Sequence, residues 1–110
     1  MSHAFDILGV PVRRRILELL CDGERSAGEV SEVVQREFSI TQAAVSQHLK
    51  VLRDSGFVSA RAEGARRIYA VDPAPLKQVD DWLDPFRRFW ETRLDALELE
   101  IRRGKKKRRP

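Results

Sequence analysis

Cysteine occurs once in these 110 residues, at Cys21, so neither an internal disulfide nor a cysteine-based zinc site can form within one chain. Asp22 and Glu24 beside it supply no thiolate-stabilising cation, and a structural or partly exposed thiol is expected. Histidine is nearly as scarce, with only His3 and His48. No H-E-x-x-H and no Gly-rich phosphate loop is present, and the carboxylates between Leu76 and Glu100 fit helix solvation as well as chemistry. The chain therefore reads as a non-enzyme without a cofactor. No run approaches the ~20 apolar residues that span a bilayer. Residues 1–10 contain Asp6 and lack a charged-then-apolar signal pattern, so a cytoplasmic protein with no membrane partner is expected.

Acid is missing from one place only. Residues 102–109, R-R-G-K-K-K-R-R, hold seven cations and no carboxylate, which leaves 14 Lys and Arg against 17 Asp and Glu elsewhere. The net charge of +4 thus belongs to the tail, while the body is slightly acidic. Residues 1–101 are expected to form one domain with a modest core, and 102–110 a disordered basic tail, either solvated or touching phosphates. Nucleic-acid affinity in the body would have to come from local clusters such as Arg13 to Arg15 and Arg66 with Arg67.

What is present in abundance is helical periodicity, most tellingly in S-I-T-Q-A-A-V-S-Q-H-L-K-V-L-R-D-S-G-F, residues 39–57. Ser39 or Thr41 can cap the helix start, Gly56 suits its left-handed stop, and Phe57 can close over the last turn. Ala44, Val45, His48, Leu49 and Leu52 form a narrow inward stripe. The opposite face carries Gln42, Ala43, Ser46, Gln47 and Lys50, where an ordinary solvated helix shows Glu and Lys pairs. Amides and hydroxyls can read base edges, and small side chains let a helix approach a groove floor.

Around this stretch, residues 3–9 predict a short helix with Phe5 and Leu8 on one side. Pro11 suits the first turn of a second helix, with Val12, Ile16, Leu19 and Leu20 buried. S-A-G-E from Ser26 is a capping box for a third, whose inner face is Val30, Val33 and Val34. Phe38 and Ile40 plug the connector to the next helix, completing a helix-turn-helix. After Gly56 the period becomes alternating and predicts a two-stranded hairpin turning at Gly64, with Arg61, Arg66 and Arg67 placed for a DNA backbone or minor groove.

From Leu76 through Val79, Leu83, Phe86, Trp90, Leu94 and Leu97 to Ile101, apolar residues recur every three or four positions, a seam for another helix. Asp84-Pro85 is expected to break or kink it, with Asp84 capping a final helix. Trp82, Phe86, Phe89 and Trp90 bring more aromatic area than so small a core can absorb. A symmetric dimer seam including Leu94 and Leu97, flanked by Phe5 and Leu8, is expected.

P-V-R-R-R-I-L-E-L-L, S-A-G-E-V, T-Q-A-A-V-S-Q-H-L-K-V-L-R-D-S-G-F-V and E-G-A-R-R-I-Y-A-V-D-P together resemble the ArsR/SmtB family of bacterial winged helix-turn-helix repressors over about residues 4–100. The resemblance implies a mainly α fold with a small β-hairpin, and a homodimer joined through the first and last helices. It also implies that the dimer represses by covering an inverted-repeat operator and releases it when an effector alters the dimer; no effector is read from the sequence. Thr41, Gln42, Ala43, Ser46, Gln47, Lys50, Arg61, Arg66 and Arg67 would meet double-stranded DNA. The C-x-C pair of metal-sensing members has no counterpart in S-A-G-E-V-S-E, and Asp80, Asp84 and Glu91 lack an accompanying histidine, so no metal site is expected. A metal-responsive repressor and a winged-helix protein-interaction module are the alternatives.

Overall fold

A computed structural model describes residues 2–108, with side chains described from residue 3 to residue 103. Helix α1, Ser2–Leu8, precedes α2, Pro11–Cys21, which has proline in its first turn. Strand β1, Arg25–Ser26, runs into α3, Ala27–Phe38, and α4 spans Gln42–Asp54. Strands β2, Val58–Glu63, and β3, Arg66–Val71, lead to α5, Ala74–Arg108. The chain divides into two compact units, Met1–Val79 and Asp80–Pro110.

In the first unit, α2 buries Val12, Ile16, Leu17, Leu19 and Leu20, adding Leu17 to the expected set. The Ser26 hydroxyl accepts from the Glu29 amide at 3.1 Å and the Glu29 carboxylate accepts from the Ser26 amide at 3.0 Å, closing the capping box. Val30, Ser31 and Val34 are the buried residues of α3, while Val33 packs partly buried against the core. Leu76 and Val79 of α5 also pack partly buried there.

Helix α1 turns a pair inward that the spacing did not single out. Ala4 and Ile7 turn inward, at 3% and 6% exposure, whereas Phe5 is 36% exposed and Leu8 is half-buried against the core. Ala4 and Ile7 are three apart, as Phe5 and Leu8 are, and the core takes the smaller pair because α1 lies close against α2.

The hairpin is a three-stranded sheet of order β1-β3-β2, not two strands. Arg25 pairs with Tyr69 and Ser26 with Ile68, making β3 the central strand. That explains why Ile68 and Tyr69, neighbours on opposite faces, are both buried. Two residues of β1 carry no alternation by which a strand could be recognised.

The expected break at Pro85 is absent: α5 is one helix of 35 residues with Pro85 inside it. Proline costs one backbone bond and a clash, about 3 kcal/mol, which the continuous ladder of good helix formers on both sides outweighs. The helix bounds run through Arg108, into the stretch expected as a disordered tail. Residues 109 and 110 lie outside the described residues. No helix is long and apolar enough to cross a membrane, among the described residues.

Candidate nucleic-acid interface

Helix α4 is clamped at both ends. Thr41 caps it, its Oγ1 accepting from the Ala44 amide at 3.1 Å, while Ser39 instead ends α3 in the left-handed region at φ 55°. At the far end Gly56 adopts φ 81° and the Phe57 amide donates to the Leu52 carbonyl at 2.9 Å. Phe57, fully buried, anchors this turn in the core. The start and stop of α4 therefore fix its rotation about its own axis. Val45, Leu49 and Leu52 face inward, and Gln42, Ala43, Ser46, Gln47 and Lys50 are all exposed together with Thr41. Six of the nine residues expected at DNA thus share one surface.

Ala44 and His48 flank that surface, half-buried. Arg13 of α2 donates from Nε to His48 Nδ1 at 3.4 Å. Burial first, and the Arg13 charge second, hold the imidazole below its ordinary value, so it is neutral near pH 7 with its proton on Nε2. His48 therefore supports α4 from behind. Arg15 ties α2 to α3, donating from Nε to both Glu37 oxygens at 2.8 and 3.0 Å. That bond lowers the Glu37 carboxyl and raises the Arg15 guanidinium.

The three wing arginines do not act alike. Arg61 pairs in register with Ile68, and Glu63 with Arg66, so these four share one sheet face. On that face Arg61 reaches Glu24 and Glu63 at 3.2 Å each, and Arg66 reaches Glu63 at 3.7 Å. Arg67 pairs with Ala62 and lies on the other face, with Tyr69. There it lines a cleft of about 310 Å³ with Ser46, Lys50 and Arg53, and it has no ion pair among the described residues. Spacing alone missed Arg53 and the restraint of Arg61 by Glu24, because both depend on how the sheet lies against α4 and on the register of β2.

In the second unit the apolar side chains are open to solvent. Trp82, Phe86, Phe89, Trp90, Leu94 and Leu97 are between 38% and 63% exposed, with Leu99 and Ile101 alongside. The Trp82 and Phe86 rings pack with centroids 4.8 Å apart and planes tilted by 40°, and the Arg93 guanidinium lies 4.6 Å from the Phe89 ring centre. Asp80 and Asp84 both engage Arg87, which gives these carboxylates a partner other than a metal. Among the described residues no three His, Cys, Asp or Glu side chains are grouped to hold a metal ion.

The pattern of the bacterial regulatory protein arsR family matches residues 10–60. The HTH-type transcriptional regulator Rv2034 of Mycobacterium tuberculosis is 38% identical over 89 residues, covering 81% of this chain and 77% of that protein. The transcriptional repressor SdpR of Bacillus subtilis is 29% identical over 83 residues, covering 76% and 88%. The crystal structure of the ArsR family transcriptional regulator RHA00566 superposes with a TM-score of 0.67 at 27% identity, covering 82% of this chain and 89% of its own.

Proposed function

This chain belongs to the ArsR family of bacterial regulatory proteins, and from that premise we propose that it is a sequence-specific repressor that binds an inverted-repeat operator as a homodimer in the cytoplasm. As a winged helix-turn-helix transcriptional regulator it binds DNA and is not an enzyme. The observation that carries the sequence-specific reading is the exposed, nearly uncharged face of α4. Gln42, Ser46 and Gln47 offer donors and acceptors to base edges, Ala43 permits close approach, and Lys50 and the free hydrogen of the Thr41 hydroxyl serve phosphates. Near its N-terminal end such a helix meets bases, and two of them in a dimer read half-sites about 34 Å apart.

The dimer reading rests on the exposed stripe of α5. Burying a single such aromatic is worth about 1.5–3 kcal/mol, and a row of them is an unusually large apolar surface to leave in water. Phe5 of α1 is 36% exposed and Leu8 half-buried in its own core, and the dimer reading does not depend on them.

Selection of bound duplexes from a random pool, read at two salt concentrations, tests the whole reading. The expected product is a palindromic sequence enriched at both. A pool without enrichment, or binding by a monomer, sinks it. On the selected duplex Gln47→Ala is expected to cost about 1–3 kcal/mol and to relax preference at one base position per half-site.

A further inference from the structure

The cleft between α4 and β3 carries three cations, Lys50, Arg53 and Arg67, from two separate elements. No carboxylate lines it, and its floor is Leu49 and Tyr69, both buried. Arg53 has one acidic neighbour, Asp54, at 3.8 Å. The other face of the sheet is the opposite case, since Arg61 and Arg66 are neutralised there by Glu24 and Glu63. Three like charges lining one cleft repel one another, and an anion bound there relieves that repulsion. The Ser46 hydroxyl at the rim adds a neutral donor.

We infer that this cleft seats one backbone phosphodiester of duplex DNA, held jointly by Arg53 and Arg67 with Lys50 at its mouth. The inference rests on the DNA-binding reading above and adds Arg53 to it. Lys50 and Arg53 lie in the second half of α4, beyond Ser46 and Gln47, where a helix entering a groove by its N-terminal end passes the strand rather than the bases. A guanidinium from each wall presents planar, fixed donors to phosphate oxygens. Arg67 therefore acts together with α4, on a phosphate, and the minor-groove option falls to the hairpin tip.

The test compares wild type, Arg53→Gln, Arg67→Gln and the double variant on the selected duplex and on a scrambled duplex over a potassium chloride series. Each single change is expected to weaken both duplexes by the same factor, about tenfold near 0.1 M salt, and to lower the salt slope by about one. The double variant should lose little more than either single one, because both arginines hold the same phosphate. Arg53→Lys, which keeps the charge, should recover part of the loss and excludes misfolding as its cause. Methylphosphonate placed at each linkage in turn should find one position per half-site that weakens wild type and leaves Arg53→Gln unaffected. Unchanged slopes, or additive losses with the slope falling by two, overturn the shared seat while leaving DNA binding intact. Saturable binding of inorganic phosphate to the DNA-free protein that is lost in Arg53→Gln, while duplex affinity and salt slope stay unchanged in that variant, assigns the cleft to a free anion and overturns it too. Failure of wild type to bind any duplex removes the underlying reading instead.

Discussion

At the scale of single residues, the neutral His48 imidazole couples stability to pH. The folded chain holds it below 6.5, so under mildly acidic conditions the unfolded chain binds a proton there that the folded chain refuses. The resulting stability is complete above pH 6.5 and declines as pH falls from that value toward the lower folded one. Glu29, held down by the Ser26 amide, and Glu37, held down by Arg15, act in a separate window. Their contribution is present above pH 4.5 and is lost as pH falls through their depressed folded values. Urea midpoints measured at about pH 7.5 and about pH 5.5 should therefore differ for wild type and converge in His48→Gln, a variant that cannot gain a proton. An unchanged difference in the variant would assign the pH response to another group. His48 was legible as an inward residue from its place in the stripe, but its bond to Arg13 joins positions 35 apart and has no local signature.

At the scale of elements, α4 was the most legible part of the chain because caps, period and stop all agreed. Thr41, the Val45, Leu49 and Leu52 spacing, and Gly56 each fix the same helix from a different direction. Gly56→Ala is expected to destabilise the fold by about 1–2 kcal/mol, since at φ 81° the added methyl faces open space and the cost is purely conformational. Thermal unfolding measures it; a loss within error would mean that the turn relaxes without glycine. Ser26→Ala removes the hydroxyl half of the capping box and should cost about 0.5–2 kcal/mol by the same measurement. Other elements resisted reading for definite reasons. In α1 nothing in the spacing marked Ala4 and Ile7 as the inward pair, which packing against α2 sets. Pro85 argued locally for a break that 34 other helical positions outvoted. Alternation puts Arg66 and Arg67 on opposite faces, but which of them joins Arg61 depends on strand register, where a shift of one residue exchanges the faces.

At the scale of the whole molecule, the proposed dimer makes the sharpest prediction. Phe89 is 63% exposed, and Arg93 lies one turn further along α5. Phe89→Glu replaces an apolar seam residue with a charge that Arg93 can pair at i+4, so the helix itself should survive. Sedimentation at micromolar concentration is expected to show a monomer with undiminished helicity, and operator affinity should drop with it. A variant that stays dimeric places the joint elsewhere. The short strand β1 has one more consequence. It stitches the middle of the wing to Ser26, the residue that caps α3, and α3 leads directly into α4. Wing and reading helix are thereby joined through α3 like the two arms of one caliper. In the proposed dimer the two reading helices are set apart by a span that the half-sites must match, and operators with altered spacing should lose affinity before operators with altered bases do.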